Sequence, residues 1–135
     1  MSVSHPWWYL LAAAAAALFL TACETVPEPD EIREDMSRQQ YFQRAHEAYD
    51  QGRYDTALVY YETFVERNPD DHAGIAAAEY EIAFIHFRRG ELQVAEEKFL
   101  ALLARYEADE DGVLPDWPRI LAERTLDRIQ EKRAG

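Results

Sequence analysis

The chain has 135 residues, 14 basic against 26 acidic, for a net charge of −12. That balance repels nucleic acid and anionic membrane surfaces, so nucleic-acid binding is disfavoured. Length allows one small domain with a modest core, and a single cysteine excludes any internal disulfide.

The first element is an apolar run from Trp7 to Leu20. Its 14 residues make about 21 Å of helix, short of the roughly 20 apolar residues that a bilayer span requires. The length suits the apolar part of a secretion signal, and the small residues that follow suit a cleavage site. Leu20-Thr21-Ala22-Cys23 closes the run and resembles a bacterial lipobox. The resemblance implies that residues 1–22 are removed and that Cys23 becomes a lipidated N-terminus. Residues 1–22 hold no Lys or Arg, unlike most such signals. Either the terminal amine suffices or the true start lies upstream of Met1. The alternatives are an uncleaved anchor and a free thiol in an ordinary secretory signal. Glu24, in place of Asp, leans towards the outer membrane under the enterobacterial sorting rule.

Residues 23–35 read as an acidic tether. Pro27, Pro29, Glu28, Asp30 and Glu31 leave little to bury, and such a stretch stays extended and solvated. Packing as an arm is open only to Ile32 and Met36.

From about Ser37 the pattern is helical and repeats. With Gly52 set against Gly90, a shift of 38, Ala45 matches Ala83 and Tyr49 matches Phe87. Tyr54 then matches Leu92, Ala57 matches Ala95, Tyr61 matches Phe99 and Phe64 matches Leu102. Small falls on small and aromatic on large apolar, as in a repeated unit. Apolar spacings of three and four make the elements helices. Each glycine suits a reversal that needs positive φ. Pro69 ends the first unit, and Asp70 or Asp71 can cap the next helix. A last helix opens with Asp116 as expected N-cap and Pro118 in its first turn. Its expected apolar stripe is Ile120, Leu121, Thr125, Leu126 and Ile129. The expected helices lie near 36–51, 54–67, 72–89, 91–107 and 117–133.

Ala45, Gly52, Tyr54, Ala57, Tyr61 and Pro69 resemble the tetratricopeptide repeat. Ala83, Gly90, Glu91, Leu92, Ala95 and Phe99 repeat the pattern without the closing proline. The resemblance covers residues 37–107. It implies an all-α fold, a short tetratricopeptide-type solenoid of two helix pairs plus a C-terminal capping helix. Repeat 1 would span about 37–70, repeat 2 about 72–107 and the capping helix about 117–133. The shift of 38, where the family repeats at 34, implies that the second unit's first helix is a turn longer at its start. Lipobox, tether and few repeats together are similar to tetratricopeptide lipoproteins, in the style of the one in the outer-membrane β-barrel assembly machinery but much shorter.

No catalytic set is legible. His5, His46, His72 and His86 lack metal-motif spacing, no second cysteine exists for zinc, and no Ser sits in a nucleophile elbow. Neither enzyme activity, metal nor cofactor is expected. Glu107, Asp109, Glu110 and Asp111 miss the alternate spacing of a calcium loop and read as a solvated connection. The resemblance instead implies a concave groove, carried over by position to Phe42, His46, Tyr49 and Asp50 in the first unit. In the second unit the positions are Tyr80, Phe84, Phe87 and Arg88. Phe42, His46 and Tyr49 lie at i, i+4 and i+7, one helix face, and Tyr80, Phe84 and Phe87 repeat the spacing. Rigid aromatics with polar tips suit binding hot spots. The alternative is that the last helix or the N-terminal arm covers them as core. The expected function is a lipid-anchored scaffold for a protein or peptide in the cell envelope, held on the periplasmic face of the outer membrane. The other class considered is an accessory ligand-binding lipoprotein of an envelope transporter.

Overall fold

The computed structural model describes residues 25–135; the signal run, Cys23 and Glu24 lie outside the described residues. Among those described there are five α-helices and no strand. They are α1 (Arg38–Asp50), α2 (Tyr54–Arg67), α3 (His72–Arg88), α4 (Leu92–Glu107) and α5 (Asp116–Ala134). A 3-10 turn, Pro29–Glu31, precedes them. None of the helices is long and apolar enough to cross a membrane. The architecture is all-α: pairs α1/α2 and α3/α4 stack in order, and α5 closes the free side of the second pair.

Local sequence explains the boundaries. Ser37 starts α1 with a capping box: its Oγ accepts from the Gln40 amide at 3.3 Å, and Gln40 Oε1 accepts from the Ser37 amide at 2.8 Å. The corner after α1 is built on Gly52, φ +74°. There the Gly52 amide donates to Tyr49 O (2.9 Å) and the Arg53 amide to Ala48 O (2.9 Å). The corner after α3 has the same wiring around Gly90, φ +79°, with Gly90 donating to Phe87 O and Glu91 to His86 O. Both are glycine-closed helix ends of the double hydrogen-bond type, and they fall 38 residues apart, as the repeat requires. Asp71, rather than Asp70, caps α3 by accepting from the Gly74 amide at 2.9 Å. Helix α3 has 17 residues against 13 in α1, the extra turn that the longer repeat demanded.

The repeat positions are where the helices touch. Ala45, Ala57, Ala83, Ala95, Phe64, Phe99 and Leu102 have no exposed surface, and Tyr61 is 1% exposed. Helix α3 is the central layer. Ala78, Ile82 and Ile85 join the core with α1 and α2, while Ala76, Tyr80, Ala83 and Phe87 join the core with α4 and α5. This two-sided burial explains why α3 is apolar nearly all round.

Three expectations change. First, the stretch expected as a tether lies along the domain: Pro27 is half-buried, and Thr25, Val26 and Pro27 line depressions with the Gly52 corner and the start of α2. Ile32 is 4% exposed within the first core, and Met36 packs partly on it. The Arg67 guanidinium, at the end of α2, donates to Pro29 O (2.6 Å), Ile32 O (2.9 Å) and Tyr41 Oη (3.2 Å). Open carbonyls in an irregular segment need donors, and Arg67 supplies a rigid fork of them. Second, Asp116 is the first residue of α5; Pro115 is its N-cap and Asp116 caps nothing. Third, Ile120 turns outward, and the buried seam of α5 is Pro118, Ala122, Thr125 and Ile129. These stand at i, i+4, i+7 and i+11, the spacing of a single helical face. In the acidic loop, Asp109 accepts from the Val113 and Leu114 amides, so its carboxylate holds the turn.

Candidate functional site

Helices α1 and α3 line one face of the stack, and the aromatic positions of the sequence fall on it unequally. Phe42 stands edge-on to Tyr61 (5.2 Å between centroids) and to Phe64 (5.3 Å), half-buried as the wall of the first core. His46 and Asp50 are exposed, and Tyr49 is half-buried against Tyr54 at 5.5 Å. In the second unit Phe84 is half-buried and Arg88 exposed.

Tyr80 and Phe87, placed in the groove by position, are core. They are 7% and 4% exposed. Tyr80 meets Phe99 at 5.8 Å and Trp117 of α5 at 5.5 Å. The cations of Arg128 and Lys132 on α5 lie 5.0 and 4.9 Å from the Phe87 ring centre. The capping helix therefore covers the stripe of the second unit, the outcome expected when few repeats leave the last one without a neighbour. What remains open is Phe42, His46, Tyr49 and Asp50 from α1, with Phe84 and Arg88 from α3.

Two groups that the groove positions omitted complete this face. Tyr61 reaches it from α2, with its hydroxyl 3.4 Å from both ring nitrogens of His46. Glu81 reaches it from α3, with Oε1 3.8 Å from His46 Nε2. His46 Nδ1 lies 2.9 Å from Phe42 O, so its N–H points at that carbonyl and Nε2 is left towards Glu81. The Glu81 side chain is only 22% exposed, against 52% for His46. Burial pushes the Glu81 carboxyl above the usual carboxylate range, and His46 pulls it partly back. Burial also raises the Tyr61 phenol, and the charges of Glu81 and Asp50 add to that. Tyr49 and Tyr80 are raised chiefly by burial too, with Arg88 opposing at Tyr49. One sequence signal pointed to Glu81. Only two acids, Glu79 and Glu81, interrupt the apolar surface of α3.

The face presents the half-buried rings of Phe42, Tyr49 and Phe84 together with the carboxylates of Glu81 and Asp50. Among the described residues no group of three or more His, Cys, Asp or Glu could hold a metal ion. Surface depressions occur elsewhere. One of about 420 Å³ lies between the docked arm and α1, lined by Ile32, Met36, Gln40 and Arg44. Another, about 520 Å³, lies beside the acidic loop at His72, Arg105 and Leu114.

The chain is similar to an uncharacterized protein of Treponema pallidum (strain Nichols), at 32% identity over 97 residues. The match takes in 72% of this chain and 39% of the relative, so it spans about two-fifths of the relative's length. No protein-family model matches the chain, and no solved structure matches it.

Proposed function

We propose that the chain is a tetratricopeptide-type lipoprotein that binds a protein or peptide segment in the bacterial cell envelope, anchored through Cys23. The observation that carries the binding reading is the α1/α3 face, where Phe42, Tyr49 and Phe84 keep part of their rings open beside exposed His46. Aromatic side chains contribute large contact area at low entropic cost, which is why they dominate binding hot spots. The lipobox of Leu20 to Cys23 supports the anchor. A mature lipoprotein carries more than one chain, enough for stable attachment. Its outer-membrane, periplasm-facing placement follows from the same resemblance and from Glu24.

Two measurements test this. A photo-crosslinking residue at position 84 should give a discrete protein adduct in envelope membranes, and one at exposed Gln130 should not. The absence of any adduct specific to position 84 refutes the groove. Metabolic labelling with a palmitate analogue should mark the protein, and Cys23→Ala should abolish the label. Unchanged labelling in that variant refutes the anchor.

A further inference from the structure

Several carboxylates of this protein pair with an arginine from a neighbouring element. Glu79 takes two bonds from Arg105, at 2.6 and 2.8 Å. Asp55 pairs with Arg89 at 2.7 Å, Glu96 with Arg133 at 2.6 Å, and Asp71 with Arg38 at 3.0 Å. Glu81 breaks the pattern. Its side chain, 22% exposed, is more enclosed than those of Glu79 (27%), Asp71 (26%) and Glu96 (26%). Yet among the described residues its one counter-charge is the imidazole of His46, at 3.8 Å and beyond hydrogen-bond range. A carboxylate taken this far from water is costly unless paired with a cation at close range.

Ring surfaces stand around the acid. Phe84 is at i+3 on the same helix face and half-buried. The charge of Glu81 helps to raise the phenols of Tyr49, Tyr61 and Tyr80, and Tyr61 and Glu81 both approach His46. Ring faces attract cations, the more so where water is thinned. Asp50 adds a second negative charge at the exposed end of α1, and the chain as a whole carries −12. Arg88 lies at i+7 from Glu81, two turns along α3, and exerts its effect on Tyr49 instead.

We propose that the α1/α3 face takes a Lys or Arg side chain of the partner segment, with the Glu81 carboxylate as counter-charge and Phe84 and Tyr49 as flanking rings. The proposal rests on the scaffold reading and gives it a chemistry: the partner presents a basic residue. His46 then acts as a placeholder that the incoming cation displaces from Glu81.

The test uses the full chain in neutral detergent micelles, followed by amide NMR. The probes are the capped tripeptides Gly-Arg-Gly and Gly-Gln-Gly. The Arg peptide should shift the amides of His46, Glu81 and Phe84 saturably, and the Gln peptide should not. Glu81→Gln, which keeps the shape, should weaken the Arg peptide on the order of tenfold, as loss of a charged partner does. Equal response to both peptides, or an Arg response unchanged in Glu81→Gln, overturns the proposal. Should that variant fail to fold, the parent decides the matter: bound Arg peptide should lower the titration midpoint of the Glu81 carboxyl carbon, and an unmoved midpoint overturns the proposal. If the peptide fails while the position-84 crosslink persists, the scaffold stands and only the basic partner falls. If the crosslink fails too, both fall.

Discussion

Gly74, in the first turn of α3, sets two effects of opposite sign against each other. Replacing a helical glycine by alanine ordinarily stabilises by about 1 kcal/mol. Here an added Cβ would stand 2.6 Å from Asp71 Oδ2 and 2.7 Å from Phe64 Cζ. Both distances are below van der Waals contact, so something must move. Asp71 is the N-cap of α3 and the partner of Arg38, so displacing it forfeits a cap of about 1 kcal/mol. Phe64 has no exposed surface and nowhere to retreat, and overpacking of that kind costs about 1–3 kcal/mol. The clash outweighs the propensity, and Gly74→Ala should lose about 2 kcal/mol. For a domain of this size that is a fall of roughly 10 °C in Tm. Urea and thermal melts followed by circular dichroism read the loss directly. Phe64→Leu made in the same chain should be less than additive with Gly74→Ala, because the shorter side chain vacates the contested space. Gly52→Ala is the control: it strains a φ of +74° with nothing near its Cβ, so it should cost about 1 kcal/mol and show no coupling to Phe64. A Gly74→Ala protein as stable as the parent would refute the close approach of α2 and α3 described above.

Ala57→Leu and Ala95→Leu should each cost about 1–3 kcal/mol in the same melts, since both sites are sealed between helices. Phe99→Ala should cost about 3–5 kcal/mol and Phe84→Ala clearly less, because Phe99 has no exposed surface and Phe84 is half-buried; equal losses would make the open face part of the core. Arg67→Met should release residues 29–36, read as faster amide exchange there and a loss of about 2 kcal/mol, with the second core unaffected. Glu81→Gln should raise the Tm at pH 7. The folded-state value of Glu81 is raised, so the native protein binds its proton more tightly than the unfolded chain and the ionised acid is a cost at neutral pH. That advantage should shrink as pH falls through the raised value into the ordinary glutamate range, and a pH-independent difference would contradict the burial argument.

The helices were legible because their signals are local. Gly52 and Gly90 announce the corners, and a chain that places them 38 apart with matching alanines leaves little freedom in the helix map. The site was legible by halves. Phe42, His46 and Tyr49 are open because α1 begins the stack, whereas Tyr80 and Phe87, identical in spacing, are closed by α5. The difference lies in which helix packs on which, and a face's periodicity is the same whether a neighbour covers it or not. Glu81 was missed for a related reason. An acid on a helix reads as solvent-facing until the neighbouring helix takes its water away. Arg67 gave no signal at all, since its partners are carbonyls more than 30 positions earlier.

That last contact sets the length of a leash. With Cys23 as the lipid anchor, a chain free up to Ser37 would span 14 residues, about 46–50 Å when fully stretched. The guanidinium grips the backbone at Pro29, which leaves at most six residues and about 20 Å, and Thr25 to Pro27 lie against the helices as well. Before Pro29 the arm runs on to the Gly52 corner at the start of α2, so on the anchor reading that end of the stack would lie nearer the bilayer. On the proposed anchor reading, a partner embedded in the same membrane would meet the domain within a thin shell rather than a deep one. Shortening a tether in this way raises the effective concentration of the two for each other without adding a contact between them.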